Sequence, residues 1–246
     1  MRETEWFYAH EPANQCGIGS LVARLRSWAA LAAWGDRGES LVTVKVYVEG
    51  GGDHNKALQT QCRRGFSEFF RKAGLEGRMP RVVACGGRRH AYDSFRTAHE
   101  GAGENELPIL LVDSEAPIAG NDPWEHVRLR PGDGWQRPQG AEQDQIHFMV
   151  QAMEAWFHAD KDKVAQYYGQ DFRRAALKQR PDIENIPKDD LLEGMQQATR
   201  SCGKGEYSKG RDSFQILALI DPGRVKSAPS PYAQRLFDVL DRICRS

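Results

Sequence analysis

The sequence predicts an α/β fold: a mostly parallel central sheet flanked by helices, followed by a helical C-terminal region. Short apolar or β-branched runs at 41–48, 81–85 and 108–112 alternate with segments of helical periodicity. Each run is closed by glycine or carboxylate: Glu49-Gly50-Gly51-Gly52, Gly86-Gly87 and Asp113-Ser114-Glu115. A Pro/Gly-rich stretch at 131–140 then separates this pattern from a mainly helical remainder.

Residues 1–40 read as an N-terminal extension. Leu21, Val22, Leu25, Trp28, Ala29 and Ala32 give 18–34 a helical spacing, and no chemistry is visible there. The run 41–48 is a largely buried strand. The three glycines break it, and Asp53 is placed to cap a helix on which Leu58, Cys62, Phe66, Phe69 and Ala73 share a face. A strand at 81–85, a helix at 90–98 and a strand at 108–112 follow, with a fourth strand expected at 126–129. Strands alternating with helices in this way imply a parallel sheet with right-handed crossovers. Residues 41–140 are thus the expected core, and 141–246 a helical region packed on it. Helices are expected near 143–159, 161–168, 171–179, 188–200, 212–220 and 231–244.

Composition narrows the function classes. Hydrophobic residues at 40% and charged residues at 28% are those of an ordinary soluble globular chain. The formal net charge is zero, so no global basic field announces a nucleic-acid partner. No stretch approaches the roughly 18 apolar residues of a membrane span. The first residues lack the pattern of a signal peptide, so a cytoplasmic protein without a membrane partner is expected. Cys16, Cys62, Cys85, Cys202 and Cys244 form no C-x-x-C pair, which argues against a zinc ribbon or a disulfide scaffold.

The carboxylates are the main chemical clue. In a parallel sheet, ligands bind beyond the carboxyl ends of the strands. Glu49 follows the first strand and Asp113 the third, with Glu115 two residues on, so the three converge if those strands are neighbours. Carboxylates so close repel one another unless a cation or a raised pKa relieves them. Oxygen donors without clustered cysteine or histidine favour Mg2+ or Mn2+ over zinc. Asp53 fits either a helix cap or a further ligand. The segment 50–55 fails G-x-G-x-x-G at its last position and lacks the Gly-Lys-Ser/Thr of a P-loop, which disfavours both nucleotide folds.

These motifs resemble a Toprim domain, a Rossmann-like catalytic domain shared by topoisomerases, primases and the overcoming-lysogenization-defect nucleases. The likeness lies in Glu-Gly after the first strand, Gly-Gly after the second, and Asp113-x-Glu115 where many Toprim domains have Asp-x-Asp. More closely, the chain resembles a bacterial domain-of-unknown-function family with a Toprim-like core. That likeness adds the Val48-to-Asp53 start, Gln151-Ala152-Met153-Glu154-Ala155-Trp156-Phe157 and Ser208-Lys209-Gly210-Arg211. The resemblance implies a nuclease cleaving DNA or RNA with Mg2+ or Mn2+, in antiphage defence beside a partner ATPase. It implies Glu49 as general acid/base or ligand, Asp113 and Glu115 as ligands, and an acid at the position of Glu154 near them, as a further ligand. Two other readings stay open: a non-catalytic module that regulates a nucleic acid or ATPase partner, and a small-molecule phosphatase.

On the expected helix 143–159, His147, Gln151, Glu154 and His158 form a polar stripe beside Ile146, Val150, Met153 and Phe157. It is either a solvated face or a route for Glu154 to the carboxylates. Charge is locally uneven. Residues 61–90 hold Arg63, Arg64, Arg71, Lys72, Arg78, Arg81, Arg88 and Arg89 against Glu68 and Glu76, whereas 97–127 hold no Lys or Arg. Arg88 and Arg89, just past Gly86-Gly87, are the better placed to meet a phosphate. The basic stretch 202–211 reads as an exposed loop or a linker. From it, Lys209 would stabilise a transferring phosphate and Arg211 would bind substrate.

Overall fold

Hydrogen-bonded strands at the centre of the molecule run Thr43–Val48 (β1), Arg81–Ala84 (β2), Glu106–Asp113 (β3) and Ile146–Met149 (β4). A computed structural model describes residues 42–245 apart from Ala119, and the helix expected at 18–34 lies outside the described residues. The sheet order is β2-β1-β3-β4 and every pair is parallel. β3 is buried from Leu107 to Asp113, as a central parallel strand covered on both faces must be.

This order sets the position of the site. The chain leaves β1 for β2 on one side, then crosses back to β3 on the other. The connection leaving β1 runs to β2 and that leaving β3 runs to β4 in the opposite direction, so these two crossovers diverge between the carboxyl ends of β1 and β3 and their loops leave a crevice there.

Helix α1 (Lys56–Phe70) joins β1 to β2, and α2 (Arg88–Glu100) joins β2 to β3. Asn55, not Asp53, caps α1 by accepting the Leu58 N–H at 3.0 Å. Alternate residues of the strands, Tyr47, Leu110, Val112, Ile146 and Phe148, face a cluster with Tyr92 and Phe95 of α2 and with Trp135. A second aromatic group links Phe69 of α1 to Trp156, stacked at 5.1 Å, and to Phe237 at 5.7 Å.

Two expectations about strands fail. Residues 126–129 are not a strand. They end the helix α3 (Pro123–Leu129), which Asp122 caps through the Trp124 N–H and which has proline in its first turn. The fourth strand lies instead inside the segment 143–159. All four residues of β4 are buried, so its two faces read alike and the spacing of Ile146, Val150 and Met153 mimics a helix. The chain then turns at Gln151 and becomes helical only over Glu154–Ala159 (α4). The polar stripe of His147, Gln151, Glu154 and His158 therefore does not exist as one face.

Beyond α4, helices cover Lys161–Tyr168 (α5), Lys188–Thr199 (α6), Lys209–Leu219 (α7), Pro222–Ser227 (α8) and Pro231–Arg245 (α9). The helix expected at 171–179 is only a 3-10 turn at Arg174–Ala176. Helix α7 lies tightly on α1. A Cβ added at Gly65 would sit 2.6 Å from the Phe214 carbonyl oxygen, so glycine at 65 sets the approach of the two helices.

Candidate metal centre

Glu49 is the first residue past β1 and Asp113 the last of β3, and Val48 is in register with Leu111. Pairing toward β4 continues past the strand: Ser114 N–H donates to Met149 O and Glu115 N–H to Gln151 O, both at 3.0 Å. Glu115 and Gln151 both take left-handed backbone, with φ of 68° and 61°. Such a conformation costs about 1 kcal/mol or more at a non-glycine residue and persists only when its surroundings enforce it. Here Ser114 Oγ accepts the Gln151 N–H at 2.6 Å, and Gln151 Oε1 accepts the Lys188 N–H at 3.0 Å. The result is that one carboxylate oxygen from each of Glu49, Asp113 and Glu115 lies within 4.8 Å of the others.

Basic side chains ring this cluster. Arg88 makes a two-pronged contact with Asp133, at 2.9 and 2.7 Å, reaches Glu49 at 3.3 Å, and donates to the Asp113 carbonyl. Its guanidinium lies over the Trp135 ring at 4.8 Å. Lys188 pairs with Glu115, and Arg130 stands 3.7 Å from the same carboxylate. Lys209 Nζ lies 2.9 Å from Asp113 Oδ2, while Asp113 Oδ1 accepts the Met153 N–H at 2.9 Å. Burial and the neighbouring Asp113 push the Glu49 carboxyl up to about 7, although Arg88 and Lys209 pull the other way. Burial also raises Glu115, but the Lys188 bond and charge, with Arg88 and Arg130, hold it below the usual range.

Glu154, at the start of α4, is fully buried. Its Oε1 accepts the Tyr207 hydroxyl at 2.6 Å, and its Oε2 has no hydrogen-bond partner among the described residues. Lys209 Nζ stands 3.8 Å from that oxygen. Burial raises the Glu154 pKa. Glu154 thus approaches the carboxylates through Lys209 and is not one of the close three.

Beside the carboxylates opens a cleft of about 200 Å³. Glu49, Gly50, Gly51, Gly52 and Gly86 line it on one side, Met149, Met153, Leu58 and Phe214 on another, with Lys209, Gly210 and Ser213 from α7. Reciprocal backbone bonds between Gly50 and Gly86, at 2.8 and 2.9 Å, tie the two glycine turns together. An all-oxygen donor set, with three carboxylate oxygens drawn within 4.8 Å of one another, fits a hard divalent cation such as Mg2+ or Mn2+.

Other residues singled out from the sequence lie elsewhere. Asp53 is exposed and acts at the start of α2, accepting the Gly87 N–H at 2.6 Å and meeting His90 at 2.9 Å. The Gly87 bond, with His90, lowers its pKa. Arg89 pairs with Asp93 on the outside of α2. Arg211 pairs with Asp212 and donates to the Glu206 carbonyl. His147 and His158 are buried, and burial lowers both to about 4. The sequence reading missed Lys188, Arg130, Asp133 and Tyr207, which hold the site. Lys188 meets Glu115 across 73 positions of chain, and no local pattern signals such a contact.

A family model described as Domain of unknown function (DUF4276) matches residues 48–241, and the chain belongs to that family. No curated protein and no solved structure matches it.

Proposed function

We propose that this member of a family of unknown function is a Mg2+- or Mn2+-dependent phosphodiesterase of Toprim-like type that cleaves DNA or RNA. The observation that supports it best is the meeting of Glu49, Asp113 and Glu115 within 4.8 Å at the crevice where the crossovers diverge. A divalent cation held by these three would polarise a phosphoryl oxygen and lower the pKa of water. The chain's own groups would do the rest. Burial raises Glu49 to about 7 in the cation-free cluster and a bound cation would lower it, so Glu49 would be a ligand when it holds the cation and a general acid/base when it does not. Arg88 is fully engaged by Asp133, Glu49 and the Asp113 carbonyl, so it orients Glu49 rather than gripping phosphate. Lys209 is half-exposed beside the cleft and would donate to a phosphate oxygen. Arg89 and Arg211, both exposed in large part, would steer a polyanion toward it. A role in antiphage defence beside a partner ATPase extends the same reading.

Labelled DNA and RNA, incubated with the protein and Mg2+ or Mn2+, test it. Glu49→Gln and Asp113→Asn should each lower cleavage by about 10²-fold or more. Equal cleavage by wild type and both variants removes the site.

One observation favours a second reading, a non-catalytic module that regulates a nucleic acid or ATPase partner. Each of the three carboxylates already has a basic partner in the protein. Calorimetry showing no Mn2+ binding, with nucleic-acid or ATPase binding intact, would select it.

A further inference from the structure

Asp113 and Glu154 approach one cation from two sides. Lys209 Nζ is 2.9 Å from Asp113 Oδ2 and 3.8 Å from Glu154 Oε2. Both carboxyl groups are almost wholly buried. A second buried carboxylate beside the first is costly unless a cation or proton compensates it. Their other oxygens are committed, Asp113 Oδ1 to the Met153 N–H and Glu154 Oε1 to the Tyr207 hydroxyl. Glu154 Oε2 has no hydrogen-bond partner among the described residues. The ammonium comes from the first residue of α7, whose start is firmly held. Asp212, also buried, accepts the Ser208 N–H at 2.9 Å and the Tyr168 and Tyr167 hydroxyls at 3.0 and 3.1 Å.

Asp113 thus belongs to two adjacent clusters: with Glu49 and Glu115 on one side, and with Glu154 on the other. A carboxylate shared in this way is how two-cation clamps are bridged. We propose that Asp113 Oδ2 and Glu154 Oε2 form a second cation site, filled by the Lys209 ammonium, so that the cleft takes a single divalent cation. The inference rests on Glu49, Asp113 and Glu115 being a divalent-cation site. Glu154 then serves the lysine and is not a ligand of that cation. Removing the ammonium should open the second site to a metal, whereas arginine, also a permanent cation, should keep it closed.

Calorimetric titration of Mn2+ into the full chain, with bound Mn2+ counted by electron paramagnetic resonance, tests this. Wild type and Lys209→Arg should bind one ion per chain, and Lys209→Ala two. The double variant Lys209→Ala/Glu154→Gln should return to one. Two ions in wild type, or one in Lys209→Ala, overturn the proposal while leaving the three-carboxylate site standing. No ion in wild type refutes that site itself, and this proposal with it. Should Lys209→Ala fail to fold, Glu154→Gln decides: it must still bind one ion, and loss of that ion makes Glu154 a ligand and overturns the proposal.

Discussion

Individual side chains in this cleft are held by contacts of unequal kind. Asp113 is fixed through a backbone N–H and a lysine, so both its neighbours are charge-stabilising donors. Among the described residues Glu154 has one neutral donor, the Tyr207 hydroxyl, and one oxygen with no donor. Tyr207 is itself buried, and its N–H donates to Thr199 Oγ1 at 2.7 Å. Replacing Tyr207 by phenylalanine should therefore leave a buried carboxylate with no hydrogen bond at either oxygen. The expected loss of stability is about 1–3 kcal/mol, the cost of an unsatisfied buried acceptor. Urea unfolding of wild type and Tyr207→Phe at pH 7.5 measures it; equal midpoints and slopes would mean that the hydroxyl is not needed to hold Glu154. The carboxylates Glu49, Asp113 and Glu115 were legible in the sequence because strand ends declare themselves locally. Tyr207, Lys188 and Asp133 were not, because each is recruited across a loop or a helix whose path no periodicity encodes.

Elements carry the same division between local and remote information. β1, β2 and β3 were legible because apolar runs stop at glycine or acid. β4 was not, since Ile146 and Phe148 alternate as a strand while Ile146, Val150, Met153 and Phe157 also repeat as a helix. What separates the two is the left-handed turn at Gln151, and glutamine gives no sequence signal for it. The segment 126–129 erred the opposite way: Pro123 and Asp122 supply a helix start that the strand-like alternation of His126, Val127, Arg128 and Leu129 concealed. The glycine turn after β1 is a case where local signal and packing agree. Gly50 has φ +136°, and a Cβ there would lie 2.7 Å from Phe214 Cζ on α7, the helix that delivers Lys209. Gly77 also has positive φ, +93°, but a Cβ there would meet nothing within 4 Å among the described residues. Gly77→Ala should cost only the backbone strain, about 1–2 kcal/mol. Gly50→Ala should cost more and should also weaken Mn2+ binding, because α7 has to move. Paired denaturation curves and Mn2+ titrations check both; equal losses of stability would show that Phe214 yields freely.

For the whole molecule, equal numbers of acidic and basic residues, 34 each, conceal a strong dependence on where the titratable groups are buried. Burial raises Glu49, Glu154 and Glu184, so their protonation on acidification favours the folded state. Two histidines act against them. His147 and His158 are both lowered to about 4, chiefly by burial. In the unfolded chain each would take up a proton below about 6.5, while the folded chain would not until about 4. At these two histidines the folded state binds fewer protons in that window, so their contribution to stability falls as pH drops from 6.5 toward 4. Because the two sets of groups oppose each other, the overall acid profile does not isolate either one. A difference between variants does. His147 sits in β4, where its Nε2 meets the Asp144 carbonyl at 2.9 Å and Arg235 adds to the penalty on its charged form. In His147→Gln this group no longer titrates. The stability of wild type relative to His147→Gln should be greatest above pH 7 and should shrink by about 2 kcal/mol by pH 5, because burial lowers the group to about 4. Urea unfolding of both proteins at half-unit steps from pH 7.5 to 5 reads this directly. A constant difference across the series would mean that His147 is hydrated enough to titrate normally, and that β4 is less tightly covered than its burial implies.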